Sequence, residues 1–257
     1  MQGTLRVPAG LALAVAALAA CVCVRSDSPA QVRAAGRMAR LPRVTLWAWE
    51  RREDLRGIDA SRVAVAALVR TVTIGLTVES EGRRNPVLLP GGVTRIAVVR
   101  VEAGPRAVLN AANRDAAVGA FLMSAGEPGE AALQIDFDAT RSQRAFYRSV
   151  LEQVRAQMPA EMPLSITALA SWCSRDRWLG EVPIDEAVPM MFRMEPDRRR
   201  GPADAEEFQI REPLCAGAVG VSTTEPWPEE MAGRRVYVFS DNGWGSDSAE
   251  DVERRLR

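Results

Sequence analysis

Two carboxylates separated by one residue, Asp136 and Asp138, are the side chains of this sequence best placed for acid–base chemistry. They lie in an apolar stretch, residues 131–140, that predicts a buried strand. Because side chains alternate along a strand, both carboxylates point to one face, roughly 7 Å apart. A helical pattern follows at residues 142–158. Ligands bind at the carboxyl ends of strands in strand–helix proteins, so we predict a site here.

The composition excludes several kinds of chemistry. The 257-residue chain contains no histidine and no lysine. Histidine-dependent triads, histidine-ligated metals, Schiff bases and the phosphate-loop lysine are therefore ruled out. The formal net charge is zero, so we predict no nucleic-acid partner. Acid–base chemistry must come from Asp, Glu, Tyr or Cys, and we predict neither a metal nor a cofactor.

The amino-terminal segment predicts export. Residues 1–24 contain Arg6 and then an apolar run too short for a comfortable membrane span, as in a secretory signal. The run ends in Leu-Ala-Ala-Cys at Cys21, which resembles the lipobox of bacterial lipoproteins, whose cysteine is acylated. We predict an exported, lipid-anchored protein of the cell envelope, which would lie in the outer membrane or periplasm if the cell is Gram-negative. An ordinary signal peptide with an incidental cysteine is the alternative.

The rest of the chain predicts one domain at residues 43–257 after a tether at residues 25–42. We predict an α/β fold, a (β/α)8 TIM-like barrel with short helices in its second half and a β excursion, residues 71–89, after the second strand. A doubly wound open sheet is the alternative. Helices are predicted at residues 52–57, 105–124, 142–158 and 247–256. Strands are predicted at residues 44–50, 62–70, 94–102, 131–140, 163–170, 187–194, 216–223 and 235–240.

Closure of these strands would gather polar residues at one rim of the barrel. They could bind a ligand, or they could form internal ion pairs, such as one between Arg100 and Asp136, that fix the strand register. Tryptophans near the rim could stack on sugars or pack internally. Besides the two aspartates, the residues are Glu50, Arg70, Arg100, Glu102, Ser171, Ser222 and Glu225, with Trp47, Trp49 and Trp172.

Two cysteines of the predicted domain lie near opposite ends of the barrel. Cys173 follows the fifth strand, whereas Cys215 precedes the seventh. A disulfide requires Cα atoms within about 7 Å of each other. The strand assignment therefore favours two free buried thiols, although an oxidising compartment would permit a disulfide.

Five segments of the chain together carry a resemblance to a known family. They are residues 46–56, 133–140, 165–173, 188–194 and 220–226. These segments resemble the bacterial domain-of-unknown-function family 3142. The resemblance runs in order through residues 43–244 and implies secretion and a barrel related to glycoside hydrolases.

A more distant resemblance is to the family-18 chitinases, whose fourth strand carries Asp-x-x-Asp-x-Asp-x-Glu. Asp136 and Asp138 match its second and third acids, but Leu133 and Thr140 stand at the first acid and at the proton-donating glutamate. Asp138 could instead pair with Glu225, after the seventh strand, as in many retaining glycosidases.

These patterns predict a glycoside hydrolase-like protein acting on envelope or extracellular polysaccharide. A non-catalytic binding or scaffold lipoprotein is the alternative. The predicted catalytic residues are Asp136, Asp138 and Glu225, and the predicted carbohydrate-binding residues are Trp47, Glu50, Arg100, Glu102 and Trp172.

Overall fold

A computed structural model describes residues 29–176, 178–192, 209–228, 231–245 and 249–255. In these ranges the chain forms eleven strands. Eight of them are parallel and close into a barrel, because β1 pairs with both β3 and β11. The strands are β1 (Val44–Ala48), β2 (Glu53–Asp54), β3 (Val63–Ile74), β4 (Val78–Gly82), β5 (Val87–Leu88), β6 (Thr94–Ala103), β7 (Glu130–Asp136), β8 (Leu164–Leu169), β9 (Glu186–Met190), β10 (Ala218–Ser222) and β11 (Arg235–Phe239).

All eight predicted barrel strands are therefore present, and the TIM-like barrel is confirmed. The described helices are α1 (Pro29–Met38), α2 (Ala111–Ala125), α3 (Arg144–Gln157), α4 (Ala170–Ser174) and α5 (Ala249–Arg255). The prediction of a short helix at residues 52–57 is wrong. Glu53 lies in β2, which pairs with β5, and its fully buried carboxylate accepts a hydrogen bond from the Trp244 backbone N–H. This tertiary pairing overrides the local helical pattern.

Side-chain alternation on β7 separates two layers of the fold. Leu133, Ile135 and Phe137 pack outside the barrel wall in the largest hydrophobic cluster, which includes residues of α2 and α3. Gln134 and Asp136 occupy the other face. The Gln134 side chain reaches across the barrel and accepts a hydrogen bond from the Trp47 indole at 2.8 Å. The period-two pattern thus directs polar groups of β7 into the barrel, as predicted.

The predicted β excursion forms a hairpin at the rim. β1 pairs with residues 63–67 of β3, whereas β4 runs antiparallel to residues 70–74 of the same strand. β6 pairs with the opposite edge of β3, so β1 and β4 share one edge of β3. Along this edge β4 lies beyond the carboxyl end of β1. The hairpin therefore raises one side of the barrel wall beyond the neighbouring strand.

The opposite end of the barrel is closed by polar and apolar groups together. Met38, the last residue of α1, and Leu41, which follows the helix, are buried there. The Arg235 guanidinium donates to the backbone carbonyls of both residues and lies 3.4 Å from Glu186, which accepts a hydrogen bond from Tyr237. Burial of Glu186 raises its pKa despite the positive charge of Arg235. The residues predicted as a tether thus include a segment that seals this end.

Cys173 and Cys215 form a disulfide with a Cα–Cα distance of 5.8 Å, so the inference of two free thiols is wrong. Both residues lie outside the barrel wall, in the layer between strands and helices. The backbone N–H groups of Arg211 and Glu212 donate to the Cys173 carbonyl, which draws the segment before β10 alongside α4. Strand order alone could not reveal this path, because a connecting segment can run along the outside of the wall.

Candidate functional site

Asp136 ends β7 inside the rim and is held by two partners. Its carboxylate forms a 2.7 Å ion pair with Arg100 on the neighbouring strand β6 and accepts a 2.7 Å hydrogen bond from the Thr167 hydroxyl on β8. The Asp136 residue is only 3% exposed. Burial of a charge requires such partners, so Arg100 and Thr167 fix the position of this carboxylate. The ion pair foreseen as an alternative to ligand binding is therefore present.

Asp138 lies two residues further on and has a different environment. Within the described ranges no hydrogen bond to its carboxylate is found, and the residue is exposed. Partial loss of solvent around the carboxyl raises its pKa, and the negative charge of Asp136 raises it further, whereas Arg100 opposes the shift. The two carboxylates therefore differ in role: one is clamped in an ion pair, and the other is an accessible group that tends to keep its proton.

Beside this pair, a cleft of about 680 Å³ opens between the rim and the β4 hairpin. Its size is that of a small-ligand site. Its walls come from the ends of β1 and β6, from upper β3 and from the hairpin. The lining residues are Trp49, Glu50, Arg51, Leu68, Thr71, Thr73, Glu81, Arg84, Arg100 and Glu102.

Glu50 fastens the hairpin to the barrel rim. One of its carboxylate oxygens accepts hydrogen bonds from the backbone N–H groups of Arg84 and Asn85 and from the Asn85 side chain. Partial burial of Glu50 opposes ionisation, but these hydrogen bonds and the nearby Arg83 outweigh it and lower the pKa. The Arg83 guanidinium donates in turn to backbone carbonyls of Ala48 and Leu68 at the strand ends. The cleft wall is thus attached by specific contacts.

Among the other residues predicted for the site, Arg100, Glu50 and Glu102 line the cleft, with Arg100 3.6 Å from Glu102. Glu225 lies elsewhere on the rim, in the turn after β10, which β8 and β9 separate from β7. Nearby, Ser222 donates a 2.7 Å hydrogen bond to Asp241. The structure therefore brings together the residues of β1, β6 and β7, and it leaves Glu225 outside the cleft lining.

The two tryptophans predicted to bind sugar are buried. Trp47 is fully buried inside the barrel and stacks on Phe239. Trp172, in α4, is 1% exposed and packs edge to face against Trp178 outside the wall. Neither indole offers an open face for a sugar in this structure. Trp49, which was also expected near the rim, is half-buried and lines the cleft.

A β-bulge explains the contribution of β3 to the cleft. The pairing of β3 with β6 shifts between Leu68 and Arg70. The extra residue turns Arg70 outward, where its guanidinium donates to Ser124 on α2, and turns Thr71 and Thr73 into the cleft. Arg70, expected at the rim, is therefore not a site residue. Their alternation with Val72 is visible in the sequence, but the bulge that directs them into the cleft is not, so the threonines were missed.

Other kinds of site are not seen in the described part of the chain. In those residues no group of three histidine, cysteine or acidic side chains is arranged to hold a metal ion. Nor does any helix there have the length and apolarity needed to cross a membrane. Cys21, the predicted acylation site, lies outside the described residues, as do Arg193 and Met194.

Fold and site together define an α/β protein, a closed eight-stranded parallel barrel with a cleft and a carboxylate pair at the carboxyl ends of its strands. Residues 91–206 match the family model described as Domain of unknown function (DUF3142), which confirms for this stretch the family resemblance predicted from the sequence. A comparison with curated proteins found no match.

Three solved structures are similar in fold. The spore cortex-lytic enzyme SleL of Bacillus megaterium QM B1551 is 14% identical with a TM-score of 0.48, over 73% of this chain and 53% of that one. SleL of Bacillus cereus is 16% identical with a TM-score of 0.42, over 58% and 41%. The chitinase domain of the Clostridium difficile spore coat protein CotE is 12% identical with a TM-score of 0.39, over 57% and 48%. The chain thus spans about half the length of these structures, and likeness at this level implies nothing about activity.

Proposed function

We propose that this protein is a glycoside hydrolase-like enzyme that acts on envelope or extracellular polysaccharide. The contrast between Asp136 and Asp138 carries the proposal. Glycoside cleavage needs a carboxylic acid that still holds its proton, next to negative charge that stabilises a cationic transition state. Asp138, with its raised pKa and open carboxyl, fits the proton donor. Asp136, in its ion pair with Arg100, fits the stabilising charge.

The sequence-based pairing of Asp138 with Glu225 remains part of the proposal. Glu225 lies on the same rim and would act as the second carboxylate. The raised pKa of the proposed proton donor, Asp138, leads to an expected pH dependence of the reaction. Activity is retained at low pH, where Asp138 is protonated, and falls as the pH rises through the pKa of its carboxyl.

The ion pair also favours a second candidate, a non-catalytic glycan-binding or scaffold protein. Arg100 neutralises the more buried of the two carboxylates, as expected if the pair serves to fix β6 against β7. Under this alternative the cleft binds glycan and nothing is cleaved. The two candidates differ in a single measurable step, the appearance of new sugar ends.

The test is a screen of the full chain against envelope polysaccharides and exopolysaccharides, with reducing ends and ligand binding measured in parallel. The variants Asp138→Asn and Glu225→Gln should lose about 10²-fold or more in cleavage rate, as expected when a general acid or base is removed. Glu152→Gln, on the exposed face of α3, is the matched control. If no glycan yields product and both variants bind glycan like the unaltered protein, the enzymatic proposal fails.

The location is also a proposal. Export agrees with the Cys173–Cys215 disulfide, because disulfides persist in oxidising compartments. Acylation at Cys21 would then attach the barrel to the membrane. Mass spectrometry of the protein from membranes should find a lipid on the peptide that begins at Cys21, and Cys21→Ala should release the barrel into the soluble fraction. An unmodified peptide from the membrane-bound protein would refute the anchor.

A further inference from the structure

The charges around the cleft are unbalanced. Taking the cleft-lining residues with their ion-pair and electrostatic partners, six carboxylates face four guanidinium groups. The carboxylates are those of Glu50, Glu53, Glu81, Glu102, Asp136 and Asp138, and the guanidinium groups are those of Arg51, Arg83, Arg84 and Arg100. With all six carboxylates ionised the cleft and its surroundings carry a net charge of −2, and with Asp138 protonated, as proposed for the proton donor, they still carry −1.

Two of the four arginines are fully occupied by the protein itself, whereas Arg84 is paired with Glu81 at 3.3 Å and Arg100 with Asp136 at 2.7 Å. All three guanidinium nitrogens of Arg51 are used, one on Glu53 and two on the backbone carbonyls of Ser240 and Asp241. The Arg83 guanidinium likewise donates only to backbone carbonyls within the described ranges. These cations are therefore poorly placed to receive an anionic ligand.

Two of the lining carboxylates remain open toward the cleft. Glu50 uses one oxygen for the hairpin, and in the described part of the chain its other oxygen accepts no hydrogen bond. Glu102 has a side chain 55% exposed, and the nearest cation, Arg100 at 3.6 Å, makes its closer contact with Asp136. Because β1 and β6 flank β3, these two carboxylates stand on opposite sides of the threonines of β3.

We propose that the cleft binds an amino sugar with a free, positively charged amine, whose ammonium group is held by the open carboxylates Glu50 and Glu102. Trp49 supplies an apolar and cation-attracting surface for the ring, and the hydroxyls of Thr71 and Thr73 supply hydrogen-bond partners. The inference rests on the proposed function in one respect, namely that the ligand is a glycan. It adds the chemical class: a polysaccharide containing hexosamine units that are not N-acetylated.

The test compares two ligands that differ only in charge. Binding of a glucosamine pentamer and of its fully N-acetylated counterpart to the full chain is measured by calorimetry near pH ~6, where amines are protonated. The amine form should bind about tenfold more tightly, and the preference should shrink on going from about 0.05 M to about 0.5 M salt. Glu50→Gln and Glu102→Gln should each weaken amine binding about fivefold and leave the acetylated ligand unaffected.

Glu152→Gln removes an equal charge from the exposed face of α3 and should change neither affinity. Equal binding of the two pentamers, absence of binding of both, or a preference that survives Glu50→Gln and Glu102→Gln overturns the proposal. The first two outcomes, equal binding of the two pentamers and absence of binding of both, are measured on the unaltered protein alone. The proposal can therefore be tested even if a variant fails to fold. These outcomes depend on binding and not on cleavage. They would therefore stand even if the experiment with Asp138→Asn showed that the protein is not a hydrolase.

Discussion

Removal of the Arg100 side chain tests how the protein holds a charge inside its rim. Asp136 is almost fully buried and has two partners, the Arg100 guanidinium and the Thr167 hydroxyl, both at 2.7 Å. Arg100→Ala leaves the carboxylate with the hydroxyl alone. Loss of one partner of a fully buried ion pair costs about 3–5 kcal/mol. Since the Arg100 side chain is 26% exposed, water replaces part of the lost interaction, and we expect about 2–3 kcal/mol.

The assay is urea unfolding followed by circular dichroism, with thermal unfolding as a second measurement. For a chain of this size the loss corresponds to a fall in Tm of about 4–12 °C. The matched double variant, Arg100→Met with Asp136→Leu, removes both charges and should recover most of the loss, because no unpaired charge is left. The cycle is completed by the single variants Arg100→Met and Asp136→Leu. If the loss of stability of the double variant equals the sum of the losses of these two single variants, the two side chains are not energetically coupled and the reasoning is refuted.

Three other perturbations have defined outcomes. Replacing Cys173 and Cys215 by alanine should lower the free energy of unfolding by about 4 kcal/mol, because the disulfide closes a loop with a sequence separation of 42. Urea unfolding measures this loss, and a loss under about 1 kcal/mol would contradict the prediction. Because the pKa of the Glu186 carboxyl is raised, this carboxyl holds its proton to a higher pH in the folded state than in the unfolded state. The free energy of unfolding should therefore fall as pH rises from the usual glutamate range through that raised pKa. Glu186→Gln should flatten this pH dependence, as measured by urea titrations at several pH values. Glu50→Ala should free the hairpin and speed tryptic cleavage after Arg83 and Arg84, whereas Glu50→Gln, which keeps an acceptor oxygen, should resist; equal cleavage would argue against the hydrogen bonds of Glu50.

The barrel strands were predictable because their signal is local. Buried parallel strands are apolar and rich in β-branched residues, as in β3 and β6, and the polar exceptions on β7 fall on the inward face. The same alternation placed Arg100 and Asp136 side by side, and the structure pairs them. Local periodicity therefore determined both the wall and the polar groups that meet inside it.

The cleft could not be predicted, since it depends on departures from that periodicity. One extra residue in β3 exchanges the directions of Arg70 and Thr71, and no local pattern marks the bulge. The docking of the hairpin depends on Glu50, whose partners are 34 and 35 residues away. The disulfide likewise depends on the path of a connecting segment. Errors thus arose where long-range contacts decide the geometry.

Arg100 connects the two halves of the candidate site. It lines the cleft, and the same guanidinium holds Asp136 and influences Asp138. A ligand that contacts Arg100 from the cleft would therefore change the electrostatic surroundings of the carboxylate pair. The cleft walls come from the ends of β1 and β6, upper β3 and the hairpin, whereas Asp138 follows β7, so selectivity for ligand charge and the proposed proton transfer come from different strands. Glu50 and Glu102 would govern which glycan binds, Asp138 would govern whether it is cleaved, and Arg100→Ala would alter both.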